Sequence, residues 1–219
     1  MNRCAFSPIR LLRQTWLSLL AGSGAACCLV TASLAADAMT PLNLRDVQVG
    51  GEIGRRVAIT ITNNLLALDA DRDFLPPFKA KTAKDGYIGL GKLIDATVKF
   101  AANTGDPRVL ALKQHLVEET LKAQEPDGYI GIIAPPQRVR GLWDIHEMGY
   151  VVWALLADYE YFGDERSLAA ARKAADYLVR NWSALPKDWG QQTSVAQNVA
   201  VTGIERTMLA LHRQTGVLA

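Results

Sequence analysis

From residue 51 onward, apolar positions along this chain recur every three or four residues. Ile53, Val57, Ile61, Leu65 and Leu68 form the first such stripe, the pattern of an amphipathic helix. Residues 37–50 precede it as an extended lead-in, with Val47 and Val49 alternating around Gln48. Asp69 to Lys84 is charged and contains Pro76-Pro77, which predicts a loop. Residues 91–103 predict a second helix ending at Thr104-Gly105, after which Asp106 offers an N-cap and Pro107 a first helical position. The helix that follows carries Val109, Leu112, Leu116, Val117, Thr120 and Leu121 on one face. Residues 144–161 predict another helix, ending at Gly163. Asp164 caps the next one, striped by Leu168, Ala171, Ala175, Leu178 and Trp182. A last helix covers Gly203 to Arg213 and ends at Thr215-Gly216.

The turn glycines at 105, 163 and 216 stand 58 and 53 residues apart. Each unit is one antiparallel helix pair with a longer return loop, too long for tetratricopeptide or ankyrin units of ~33–34 residues. An all-α chain of this kind is expected to arrange its pairs in a ring with the return loops at one rim; a solenoid of long helix pairs is the alternative. The sequence stops just after the third turn, so the last helix lacks its pair mate, and the chain reads as the front part of a longer protein.

Composition narrows the function. The 219 residues are 49% hydrophobic and 21% charged, an ordinary globular balance that excludes disordered, collagen-like and multi-span membrane chains. Arg3, Arg10 and Arg13 are the only charges before Asp37, and Ser33-Leu34-Ala35 places small residues at both cleavage subsites. This is the layout of a signal peptide over residues 1–35, with an uncleaved anchor as the alternative. The expected location is secreted or periplasmic, without stable membrane insertion after cleavage. Those residues carry three arginines and no acid, so the formal charge of +2 becomes −1 without them. A nucleic-acid partner is not expected. Cys4, Cys27 and Cys28 leave with the signal, so residues 36–219 have no disulfide, thiol nucleophile or cysteine metal site.

Several motifs bear on chemistry. Gly86 to Lys92 fits seven positions of a phosphate-binding loop, but Leu93 stands where Ser or Thr would hold Mg²⁺, and a polar stretch precedes it instead of a buried strand. A glycine-rich turn entering a helix explains it as well. Asp-Gly-Tyr-Ile-Gly occurs at 85–89 and again at 127–131. Each copy is a turn signal, and each is also a candidate rim loop presenting Tyr87 or Tyr129 to the apolar face of a sugar ring. The densest cluster is Trp143-Asp144-Ile145-His146-Glu147-Met148-Gly149-Tyr150. Asp144 and Glu147 fit a capping box, with His146 as a hydrogen-bonded, half-buried residue. The other reading is a binding site at a helix N-terminus built from two carboxylates, an imidazole and two aromatics. His146 and Tyr150 also admit a lyase or epimerase base. His115, His146 and His212 lack metal-ligand spacing. Asn181-Trp182-Ser183 matches a glycosylation sequon by chance, since Trp182 completes a helix stripe. Gln191 to Asn198 forms a polar return loop whose side chains could bind sugar hydroxyls or merely solvate the loop.

Ala123-Gln-Glu-Pro-Asp-Gly-Tyr-Ile-Gly131 followed by Leu142-Trp-Asp-Ile-His-Glu-Met148 resembles the front half of glycoside hydrolase family 127, the β-L-arabinofuranosidase-like enzymes. Val47 to Gly51 resembles that family's lead-in, and Gly203 to Gly216 its third helix pair. The resemblance implies an incomplete α/α toroid, about two and a half helix pairs of an (α/α)6 barrel. The parent protein would be a secreted retaining hydrolase of terminal furanosides, with an oligosaccharide as substrate. It implies that His146 lines the sugar pocket, with Glu147 and Trp143 beside it and Trp143 or Tyr129 packing on the ring. It places the nucleophilic Cys, its zinc ligands and the acid/base Glu in the family's second half. No cofactor is therefore expected in this chain, zinc is expected only in a full-length form, and the catalytic residues are unknown here. A partner for the open ring, the missing half or another copy, is also expected. Asp144 and Glu147, side by side on one helix, would not bracket a glycosidic bond. The rival reading is a non-catalytic α/α module that binds carbohydrate or protein.

Overall fold

The computed structural model describes residues 42–184 and 202–216. The segment expected as a signal peptide, residues 1–35, and the one expected as a polar return loop, Gln191–Asn198, lie outside the described residues. Eight α-helices are described: α1 (Gly51–Asn63), α2 (Ala70–Asp73), α3 (Leu75–Ala80), α4 (Leu90–Thr104), α5 (Pro107–Ala123), α6 (Leu142–Phe162), α7 (Glu165–Ser183) and α8 (Thr202–Thr215). Single 3-10 turns lie at Leu44–Asp46, Leu65–Ala67 and Pro135–Gln137. Among the described residues no strand forms, only one parallel bridge between Ala83 and Ile133, and no helix is long and apolar enough to cross a membrane.

Three expectations are corrected. The stripe over 51–68 does not form one helix: α1 ends at Asn63, and Leu65 is buried from a 3-10 turn instead. Ile53, the first member of that stripe, is 66% exposed. The segment Asp69–Lys84, expected as a loop, contains α2 and α3. Asp69 caps α2 by accepting from the Arg72 amide, and Pro76 and Pro77 occupy the first turn of α3, where a missing N–H costs nothing. The lead-in is likewise not fully extended, because Asn43 caps a 3-10 turn.

The helix pairs follow the sequence repeat closely. α4 ends on Gly105 and α6 on Gly163, both left-handed at φ 63° and 68°, a conformation glycine reaches without a Cβ penalty. The next residue of each turn, Asp106 or Asp164, accepts from the amide two residues on, at 2.9 and 3.0 Å. Each also pairs with that residue's guanidinium at 2.7 Å. One turn design thus makes two antiparallel hairpins, α4–α5 and α6–α7. A third left-handed glycine, Gly216, ends α8.

α4, α6 and α8 lie side by side as an inner row, with α5 and α7 outside them and α3 against α5. α6 packs against α4, α7 and α8, which explains why its sequence is apolar nearly all round. α4 and α6 run the same way. Glu147, near the start of α6, meets Gly89 at the start of α4, and farther along Lys99 lies over Trp153. The core joins Leu90, Ile94 and Val98 of α4 to Leu116 of α5, Ile145, Met148, Val152 and Leu155 of α6, and Ala174 and Leu178 of α7. On α8, Leu211 is buried while Leu209 is 60% exposed.

The inner row closes tightly at Gly91. A Cβ placed there would fall 2.3 Å from the Tyr150 carbonyl carbon and 2.4 Å from the Val151 nitrogen, so a side chain must push two helix backbones apart. Gly91→Ala is expected to destabilise the protein by about 2–3 kcal/mol, read as a drop in the denaturant midpoint at unchanged slope.

Candidate functional site

The starts of α4 and α6 meet at one end of the inner row, and the conspicuous residues of the sequence gather there. Gly141 takes the N-cap position of α6 and makes no side-chain cap. The capping-box expectation for Asp144 and Glu147 is therefore wrong. α6 begins two residues earlier than the pattern predicted, so both carboxylates lie inside the helix and turn into the protein.

Asp144 is buried. It accepts from the Tyr129 hydroxyl and from the Val139 amide, each at 2.8 Å. Tyr129 Oη in turn accepts from the Ile133 amide at 2.7 Å. Arg138 covers the Tyr129 ring at 3.8 Å and makes a two-pronged ion pair with Glu125 at 2.6 and 2.8 Å. This network ties the loop 124–141 to α6. Val139 holds φ at 60°, strained for a β-branched residue, and its amide bond to Asp144 helps fix that geometry. Burial pushes the Asp144 carboxyl up, against the pull of the Val139 amide and the Tyr129 hydroxyl. Burial and the nearby Asp144 push the Tyr129 phenol well above its usual range. Tyr129 is thus a corrected expectation: its ring is fully buried and presents no face to a ligand. The Gly131 position explains why, since a Cβ there would lie 2.4 Å from Tyr129 Oη and 2.6 Å from Asp144 Oδ1.

Glu147 works on the neighbouring helix. α4 starts at Gly89 with no side-chain cap of its own, leaving amides without partners at that end. Glu147 Oε2 accepts from the Ile88 and Gly89 amides at 2.7 and 2.8 Å. Its Oε1 is enclosed without a hydrogen bond of good geometry, and the Leu90 and Gly91 amides also act on the carboxylate. Burial pushes this carboxyl up, and the four amides partly offset that. Glu147 is a cap supplied from across the inner row, favoured by the positive end of the α4 dipole. The carboxylates expected in a ligand site are both committed to holding the site's floor.

Above that floor lies an aromatic patch. Tyr87, from the first Asp-Gly-Tyr-Ile-Gly copy, stands 5.7 Å from Trp143 and 5.1 Å from His146, ring centre to ring centre. His146 meets Trp143 edge-on at 5.6 Å and Tyr150 at 4.8 Å. All four are half-buried, and the three α6 members share one face through i, i+3 and i+4 spacing. The two copies of the pentapeptide therefore diverge in role: Tyr87 reaches the patch and Tyr129 braces it from inside. Tyr87 Oη is enclosed without a well-formed hydrogen bond. Burial raises its pKa, opposed by the nearby Lys92 ammonium. Lys92 Nζ lies over both Tyr87 and Tyr150, at 4.9 and 4.5 Å from the ring centres. Its ammonium is held above the usual lysine range, first by the Tyr87 hydroxyl.

Away from this patch, an open cleft of about 690 Å³ is lined by Lys79, Lys81, Glu119, Glu125 and Arg138 among others. Its charges are spent on one another: Lys79 and Lys122 on Glu119, Arg138 on Glu125, and Lys81 on the Ala123 carbonyl. Among the described residues no three His, Cys, Asp or Glu side chains come together to hold a metal ion. Sequence reasoning missed Lys113 and Asp158, a buried pair at 2.9 Å between α5 and α6. It also missed that Lys92, read only as part of a phosphate-loop pattern, sits on the aromatic patch.

Comparison with known proteins agrees with this fold. A crystal structure of a GH127 β-L-arabinofuranosidase from Geobacillus stearothermophilus T6 superposes on 78% of this chain with a TM-score of 0.56 and 20% sequence identity. At that identity the likeness concerns the fold. The chain spans 30% of the length of that structure's chain. No curated protein sequence matches. The family described as β-L-arabinofuranosidase, GH127 catalytic domain, matches residues 56–217, from α1 through α8. The chain, with its braced loops and aromatic patch at the head of the inner helix row, belongs to the GH127 β-L-arabinofuranosidase catalytic-domain family.

Proposed function

We propose that this chain forms one wall of a sugar pocket in a secreted or periplasmic glycoside hydrolase of the β-L-arabinofuranosidase type. In this reading the inner row α4–α6–α8 is the front part of a closed (α/α)6 ring, and the aromatic patch faces the ring's mouth. The observation that carries the proposal is the half-buried group Tyr87, Trp143, His146 and Tyr150, braced from beneath by Glu147 and Asp144. A ring with apolar C–H faces and hydroxyl edges suits such a surface, which offers aromatic faces and an imidazole together. His146 hydrogen-bonds sugar hydroxyls, and Trp143 packs against the ring. Retaining hydrolysis needs a nucleophile and an acid/base about 5–5.5 Å apart; Asp144 and Glu147 serve other ends, so both groups come from elsewhere in the full-length protein.

His146→Ala in the full-length protein is expected to raise KM for a β-L-arabinofuranoside about tenfold or more, the scale of one lost hydrogen bond to a polar substrate group. The melting temperature should move by only a few degrees. Unfolding on this substitution would instead mark His146 as a structural residue. The commitment of both carboxylates to structure also supports a second reading, a non-catalytic carbohydrate-binding module. Sugar binding without any hydrolysis by the full-length protein would favour it.

A further inference from the structure

The half-buried face of α6 continues past the sugar patch: Trp143, His146, Tyr150 and Trp153 follow one another at three, four and three residues, a single stripe along the helix. Two cations from two other helices lie on it. Lys92 of α4 covers Tyr150, and Arg206 of α8 covers Trp153 at 4.1 Å. Both side chains are exposed, and neither joins any ion pair among the described residues. Two neighbouring charged groups already have partners. Lys99, the other cation at Trp153, is paired with Asp95 at 2.8 Å, and Glu147 accepts from the Ile88 and Gly89 amides. Lys92 also stands in the first turn of α4, the helix end where a cation is disfavoured. Ring faces attract these cations but use none of their N–H donors, so that apart from the Lys92 donor beside the Tyr87 hydroxyl those of the ammonium and guanidinium are left for a ligand.

We infer that this face recognises a carboxylate-bearing sugar, with Lys92 and Arg206 as the specificity-determining residues that bind its acid group over the α6 aromatic stripe. The inference rests on the reading of the patch as a sugar site and adds the class of sugar. A carboxylate there gains charge-assisted hydrogen bonds while its ring keeps the aromatic contact, and a neutral sugar gains only the latter.

The test is calorimetric titration of the full-length protein with galacturonate and with galactose, which differ in a carboxylate against a hydroxymethyl group, alongside L-arabinose as the neutral pentose. Galacturonate is expected to bind about tenfold tighter than galactose, the order of one charge-assisted hydrogen bond, and the preference should shrink as salt rises to about 0.5 M. The double variant Lys92→Met, Arg206→Met should bring galacturonate down to the affinity of galactose. Lys92→Arg with Arg206→Lys should keep the preference, and both side chains are exposed enough that a thermal melt should confirm folding. Equal binding of the two hexoses, with L-arabinose still bound through His146, overturns this inference and leaves the sugar-site reading standing. A preference that survives the methionine variant also overturns it. Failure of all three sugars to bind removes the sugar-site reading and this inference together.

Discussion

Glu147→Ala is expected to lower the stability of the described domain by about 3–4 kcal/mol. The substitution removes the acceptor of the Ile88 and Gly89 amides, and a buried donor left without a partner costs roughly 1–3 kcal/mol. It also strips the side-chain cap from the start of α4, whose own N-cap residue, Gly89, makes none. The damage should be local first: amide hydrogen exchange at residues 88–92 should rise before the rest of the core opens. Because those residues carry Tyr87 and Lys92 into the aromatic patch, sugar binding should fall with them. Glu147→Gln should recover only part of the loss: its carbonyl can accept from Ile88 and Gly89, but its NH₂ is a donor and cannot accept from the amides of Leu90 and Gly91. The pH dependence separates the charge from the hydrogen bonds. Burial raises the Glu147 carboxyl above its ordinary range, so the folded state holds this proton more tightly than the unfolded chain. Its contribution is therefore fully present below the ordinary glutamate range and is lost as pH rises through the raised folded value. Urea midpoints measured across that window should fall with pH in the native protein and be flatter in Glu147→Gln. A slope unchanged by the substitution would show that Glu147 does not titrate differently on folding.

Asp158→Ala should be as damaging, at about 3–5 kcal/mol, for a different reason. Asp158 is fully buried and receives Lys113 Nζ at 2.9 Å and the Ser167 hydroxyl at 2.6 Å. The Lys113 side chain, only 12% exposed, also lies over the Phe162 ring at 4.3 Å. One carboxylate thus joins α5, α6 and the start of α7. Removing it leaves an ammonium with almost no water and without the carboxylate that pairs with it, the costly half of a broken buried pair. Removing both charges is a smaller perturbation. Lys113→Met with Asp158→Leu is expected to be more stable than Asp158→Ala alone, as replaced buried pairs often are. Thermal and urea unfolding of the single and double variants decide it; a double variant no better than the single one would place the loss in packing and not in charge.

The legible part of this protein is the part whose information is local. Asp106 with Pro107 and Asp164 after Gly163 announced two helix starts because capping is settled within three residues of sequence. The stripes of α5 and α7 were readable because each helix has one buried face. The pentapeptide and the Trp143–Glu147 segment gave the family, which the match over residues 56–217 then showed. Pro76-Pro77 misled because proline stops a helix when it falls inside one but fits the first turn, and only the finished α3 reveals which applies. Sequence by itself thus determined the all-helical class, the two Gly-Asp hairpins and the stretch where the candidate site lies. Tertiary structure alone decided what the side chains there do. Asp144 and Glu147 have the spacing of a capping box, but their partners are Tyr129, Val139, Ile88 and Gly89, fifteen to fifty-nine residues away or across a loop. Tyr87 and Tyr129 sit in identical pentapeptides, yet one loop ends at the open head of α4 and the other packs beneath α6. The local code is the same at both tyrosines; the difference is which helix end is left to cover each ring, and that is fixed only when the inner row assembles.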